Sequence, residues 1–183
     1  MYEIPTAEEV SRRRQRGSAL HRGRPPEGPR PKLAVLGSFN LDLVPPFLVE
    51  ALDRFGLEFE VSTSGFGQMA AQALDPGSSL YAALPDAVLL VPAVEDLLAP
   101  LFTPGRSPLS PAQADGLAQD RLAELREVVR AITEGLPAAT CYLVVFGPSR
   151  TPAGQVLAPR DPRRGQDVIE RLVQELRSFG ELG

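Results

Sequence analysis

Cysteine, histidine, lysine and long apolar runs are scarce or missing in this chain, and each gap closes off a class of protein. Cys141 is the sole cysteine, so no disulfide can form within the chain. His21 is the sole histidine, which leaves no basis for a zinc-type ligand set, and no metal or other cofactor is expected. Lys32 is the only lysine, and arginine supplies every other strong base. With the abundant alanine and proline, that usage typifies a GC-rich genome and says little about mechanism. No apolar run of about 18 residues is free of charge or proline, so no membrane association is expected. The N-terminus "MYEIPTAEEVSRRRQRGSALHRGRPPEGPR" has neither an apolar core nor a cleavage signal, so a secretory leader is not expected. These gaps together predict a soluble, cytoplasmic protein.

What is present fits one domain: 183 residues, 43% of them hydrophobic, are enough for a real core. Charge is split. Residues 1–31 hold seven arginines and four glutamates, a net +3, which leaves −7 for the rest of a chain whose formal total is −4. Proline and glycine crowd Gly23 to Pro31, so residues 1–31 read as a basic, disordered arm. Residues 32–183 read as the folded domain. Its acidic character argues against a nucleic-acid partner.

Apolar runs alternate with amphipathic stretches. "LAVLG" from Leu33 predicts a buried strand, and Phe47, Leu48, Ala51, Leu52 and Phe55 then recur at helical spacing, with Asp42 as N-cap and Gly56 as the stop. "LEFEVSTS" alternates as a strand nearer an edge does. "GFGQMAAQALDPG" predicts a loop and a short helix, "DAVLLVP" a third strand and "EDLLAPLF" another short helix. "SPAQADGLAQDRLAELREVVRAITEGL" predicts a long helix whose apolar face is Leu117, Leu122, Leu125, Val128, Val129 and Ile132. "ATCYLVVFG" predicts a fourth strand, and "QDVIERLVQELRSFG" a last helix. Strands separated by helices imply right-handed crossovers and a mostly parallel sheet in an α/β/α sandwich, either SGNH-hydrolase-like or flavodoxin-like. Such a sheet usually gains another strand after the last helix, so the domain reads either as truncated at its C-terminus or as one that leans on a neighbour. The open edge that results favours self-association or a covering partner.

In parallel sheets the site lies beyond the carboxyl ends of the strands. Gly37, Ser38, Phe39, Gly65, Gly67, Gln68 and Ser149 fall there, as do Asn40, Glu95 and Asp96. A nucleophilic Ser38 needs a base, and His21 lies in the arm. The alternative for Ser38 is a turn residue whose hydroxyl satisfies backbone amides. Gly37 ahead of a helix start is able to cradle an anion, yet "GxxxxGK[ST]" is absent and "GFG" lacks the rest of a dinucleotide fingerprint. Glu95 and Asp96 pair as an acid and base, or else favour the N-terminus of the helix they begin.

The stretch "LAVLGSFNLDLVPPFLVEALDRFGLEFEVSTSGFGQ" followed by "ALDPGSSLYAALPDAVLLVPAVEDLL" resembles the N-terminal SGNH-like domain of FkbH-like proteins, most specifically from Leu74 to Leu97. The resemblance runs from about Lys32 to Phe179. It implies an SGNH-like fold coupled to a haloacid-dehalogenase-type domain that loads a glyceryl unit onto an acyl carrier protein in polyketide pathways. That second domain is not in this sequence. Carried over residue by residue, the SGNH hydrolase pattern fails: Phe39 stands where the nucleophilic serine would be, and Glu95 replaces the oxyanion-binding asparagine. A carboxylate there repels an oxyanion. The final Asp-x-x-His block is absent.

Two readings follow. The first is a noncatalytic SGNH-like module serving a haloacid-dehalogenase-type glyceryl or acyl transferase and its carrier protein, with the basic arm meeting the carrier's acidic surface. The second is an esterase or acyltransferase that uses Ser38, helped by Asn40, Gln68 or Glu95. A small-molecule sensor on a flavodoxin-like sheet is a third class, though the acidic pocket of a receiver domain is missing.

Overall fold

A computed structural model describes residues 6–23, 29–99, 109–144, 170, 172 and 174. Four strands, β1 (Lys32–Gly37), β2 (Glu60–Thr63), β3 (Ala87–Val91) and β4 (Thr140–Leu143), form one sheet in the order β2-β1-β3-β4. Every pairing is parallel, with Val35 opposite Thr63 and Leu89, and Leu90 opposite Leu143. The central strands β1 and β3 are nearly continuous apolar runs because helices cover both of their faces. On one face Leu33, Val35, Val61, Ala87 and Val91 meet α2 (Val44–Asp53) through Val44, Leu48, Val49 and Leu52. On the other, Ala34, Leu36, Val88 and Leu90 meet α3 (Met69–Leu74) and the long α6 (Pro111–Gly135) through Ala73, Leu122, Leu125, Val128 and Ile132. The α/β architecture with a parallel sheet is the one expected.

Local chemistry sets the helix ends. Ser110 and Gln113 form a reciprocal capping box at the start of α6, with Pro111 at the first helical position, where its missing N–H costs nothing. After α2, Gly56 adopts φ +70°; its N–H bonds to the Asp53 carbonyl and that of Leu57 to the Leu52 carbonyl, a Schellman stop. The start of α2 differs from expectation. Leu43 occupies the N-cap with no side-chain cap bond, and Asp42 instead donates its backbone N–H to Asn40 Oδ1 at 2.8 Å. An asparagine two residues earlier forms the local turn and leaves the Asp42 carboxylate out of the cap.

Two short helices, α4 (Ser79–Ala83) and α5 (Val94–Leu97), complete the core. The α4 helix has no counterpart in the sequence reading. Tyr81 ties it down, with its hydroxyl 2.5 Å from the Ala73 carbonyl and 3.1 Å from that of Ala131. Burial pushes the Tyr81 phenol above its ordinary pKa. A Cβ at Gly135 would sit 2.4 Å from the Tyr81 ring, so α6 approaches that ring closely only because position 135 has no side chain.

The N-terminal arm, expected to be disordered, carries a helix, α1 (Ala7–Gly23). The reason is local. Glu8 and Glu9 favour its first turn, Thr6 Oγ1 accepts the Glu9 N–H, and Glu8–Arg12 and Glu9–Arg13 pair at helical spacing. The proline and glycine run that argued against structure begins only at Gly23, where α1 ends. The helix lies on α2. Gly17 is buried against Pro46, Arg16 reaches Asp53 at 3.5 Å, and Glu50, 4% exposed, is bonded by Arg54 Nε at 2.9 Å. The last helix of the sequence reading falls almost wholly outside the described residues; of it, Leu172 is helical and buried.

Candidate functional site

The chain leaves β1 for β2 on one side and crosses to β3 on the other, so the carboxyl ends of β1 and β3 mark the point where strand order switches. Open α/β sheets bind ligands in the crevice there. Ser38, the first residue after β1, spans this crevice. Its hydroxyl donates to Asp96 Oδ2 at 2.8 Å and accepts the Ala93 backbone N–H at 2.9 Å. Asp96 lies in the first turn of α5, whose N-cap is Ala93. The carboxylate therefore serves the β1 turn in addition to favouring a helix start.

The β2 end joins the same place. Gly37 N–H points at Ser64 Oγ, 3.4 Å away, and the Ser64 N–H bonds to the Val35 carbonyl at 2.9 Å. A Cβ at Gly37 would come within 3.0 Å of Leu41, so glycine lets the turn fold back onto that buried leucine. The Gly37 N–H thus faces a serine hydroxyl of this chain. Phe39 is half-buried and packs with the cluster of Val35, Leu41 and Val91.

The remaining candidates divide. Asn40 is exposed, and its Oδ1 is already engaged by the Asp42 N–H. Gln68, also exposed, lies over Gly65, where a Cβ would come within 3.2 Å of its Cδ. Gly67 takes φ +66° in the turn before α3, a conformation glycine adopts without strain. Glu95 is helical in backbone, but its side chain lies outside the described residues, as do all of Ser149 and the His21 side chain. Among the described residues, no three His, Cys, Asp or Glu side chains gather as a metal-binding group, and no helix is long and apolar enough to cross a membrane. Cys141 is half-buried on β4, and burial pushes its thiol above the ordinary pKa.

The sequence marked Ser38 and Asp96 separately; their bond joins residues 58 positions apart and has no local signature. Replacing Ser38 by alanine removes both bonds and leaves the Ala93 N–H, which is only partly in contact with water, without its acceptor. The expected loss is about 1–2 kcal/mol of unfolding free energy, read from the urea midpoint.

No protein-family model and no curated protein matches the chain. A solved structure does: the crystal structure of the N-terminal part of the protein BF1531 from Bacteroides fragilis, containing a phosphatase domain and complexed with Mg. The TM-score is 0.62 at 18% identity, over 97% of this chain and 43% of that one. At that identity the likeness is one of fold. This chain spans less than half the length of its structural neighbour.

Proposed function

We propose that this chain is a noncatalytic SGNH-like module of the FkbH-like type, acting in the cytoplasm beside a haloacid-dehalogenase-type glyceryl or acyl transferase and helping it engage an acyl carrier protein. The observation that carries this reading is the bridged switch point. The Ser38 hydroxyl, the only nucleophile the sequence offers at the end of β1, is held by Asp96 and the Ala93 amide across the crevice. Phe39, at the hydrolase nucleophile position of the resemblance, is half-buried against the core. A hydroxyl committed to two bonds that join neighbouring strand ends has a positional role, and nothing in the pair supplies an oxyanion donor.

The neighbour from Bacteroides fragilis supports the same reading. It combines a region of this fold with additional chain and contains a phosphatase domain. Helix α1 adds a surface for the carrier, since Arg12 and Arg14 are exposed on it and carrier proteins present acidic faces. Titrating the chain with a carrier protein, and separately with a haloacid-dehalogenase-type transferase, should give saturable binding at low salt. The carrier interaction should weaken steeply as ionic strength rises. Absence of binding to both at low salt overturns the proposal.

A further inference from the structure

The two edges of the sheet are guarded unequally. On one edge β2 opens at the exposed Glu60, with Glu58 just before it, and charges at an edge discourage pairing with another chain. On the other edge, residues 140–144 read "TCYLV", with no charge and no proline. A strand of that composition is open to a further strand. Among the described residues, β4 pairs with β3 alone.

The ladder fixes which groups of β4 face outward. Thr140 donates its N–H to the Asp86 carbonyl at 3.0 Å, and Val144 donates to that of Leu90 at 2.8 Å. Backbone groups alternate sides along a strand, so Tyr142 also faces β3, while the N–H and C=O of Cys141 and Leu143 point away from the sheet. Side chains alternate between the two faces. Leu89 and Tyr142 stand in register on the face that α2 covers over β1. Over β4 that cover has run out, and Tyr142 is 54% exposed. We propose that this edge pairs antiparallel with β4 of a second copy, in the register that sets the two Tyr142 residues opposite each other.

That register uses every outward group. Cys141 of each copy faces Leu143 of the other as a hydrogen-bonded pair, which gives four N–H···O=C bonds about the two-fold axis and one continuous sheet. The two Tyr142 residues form the non-hydrogen-bonded pair at the centre, where side chains come closest and aromatic pairs are favourable. A strand paired with itself sets its central residue against its like. A charge at that position would repel its counterpart, whereas a neutral ring packs on it. The size of the contact sets its strength. Stable complexes bury about 1,200–2,000 Å² in all, and a single aromatic side chain supplies at most about 250 Å². Four ladder bonds and two rings fall short of that, so this dimer forms and dissociates with concentration.

The test is sedimentation velocity of the full chain over a range of concentrations, beside Tyr142→Glu and the double variant Cys141→Ser, Tyr142→Cys. The unmodified chain should move from 19.7 kDa to twice that mass as concentration rises. Tyr142→Glu sets two carboxylates face to face and should stay monomeric. Its melting temperature in dilute solution should be unchanged, because residue 142 is exposed in the single chain. In the double variant the sole thiol lies on the axis, where Cα atoms about 4.5 Å apart admit a disulfide, so mild oxidation should link the copies. The unmodified chain should not link, because its two Cys141 residues lie diagonally, about 7–8 Å apart. A chain that is monomeric at every concentration overturns the proposal. So does a dimer that Tyr142→Glu leaves intact, or one that links through Cys141 and not through residue 142. Failure here leaves the carrier reading untouched, since Tyr142 lies on β4 and the carrier surface on α1.

Discussion

Gly17→Ala is expected to destabilise the chain by about 1–3 kcal/mol and to release α1 from α2, although the same change in an isolated helix stabilises it by about 1 kcal/mol. A Cβ on residue 17 would lie 1.6 Å from the Pro46 carbonyl oxygen and 2.4 Å from its carbonyl carbon. Both are backbone atoms in the first turn of α2, so no side-chain rotation relieves the contact; one helix must move. Two effects of opposite sign compete here, which makes the sign of the result informative. Thermal melting and limited trypsin digestion check it together. A lower melting temperature with faster cleavage among Arg12, Arg13 and Arg14 is the expected pair of results. A higher melting temperature with unchanged cleavage would mean that α1 does not rest on Pro46.

Leu90→Ala is expected to cost about 2–5 kcal/mol, the largest single effect anticipated in the sheet. Leu90 is fully buried on β3, opposite Leu36 on β1 and Leu143 on β4, and belongs to the cluster formed with α3 and α6. Its removal leaves a cavity between a sheet held by ladders on both sides and a helix fixed by a capping box, and neither collapses easily. The urea midpoint should fall with the slope unchanged. A loss below about 1 kcal/mol would place Leu90 at a yielding edge rather than in a central core. Leu84, 71% exposed at φ +47° after α4, marks the opposite extreme: a strained backbone with little packing at stake.

The sheet was legible because its signals are local and redundant. "LAVLG" and "DAVLLV" are apolar on both faces, as strands covered on both sides must be, and Ser110 with Pro111 announces the long helix within four residues of chain. Helix α1 escaped notice because its residues are polar all round, and polar helices owe their place to docking rather than to an apolar stripe. Its docking depends on one glycine against one proline 29 positions away, a contact that pattern reading has no means to find. Helix α4, five residues long, is too short to show a period. At the site, the residue types were legible and their bonds were not. Ser38 and Asp96 were both candidates, yet only the β1–β3 pairing brings their turns together. Asn40 looked like a donor aimed into the crevice, but its carbonyl oxygen closes the local turn that Asp42 was expected to supply as a cap.

The central claim is that the Ser38 hydroxyl holds two strand ends together and attacks nothing. Intact-mass analysis after exposure to a serine-directed fluorophosphonate, with Ser38→Ala alongside, tests it most directly. The account predicts no adduct on the unmodified chain, because Ser38 Oγ donates to Asp96 and accepts from Ala93 N–H, with no imidazole to activate it and no oxyanion donor beside it among the described residues. A single adduct that vanishes in Ser38→Ala would show that Asp96 activates this serine, and would make the switch point an active site.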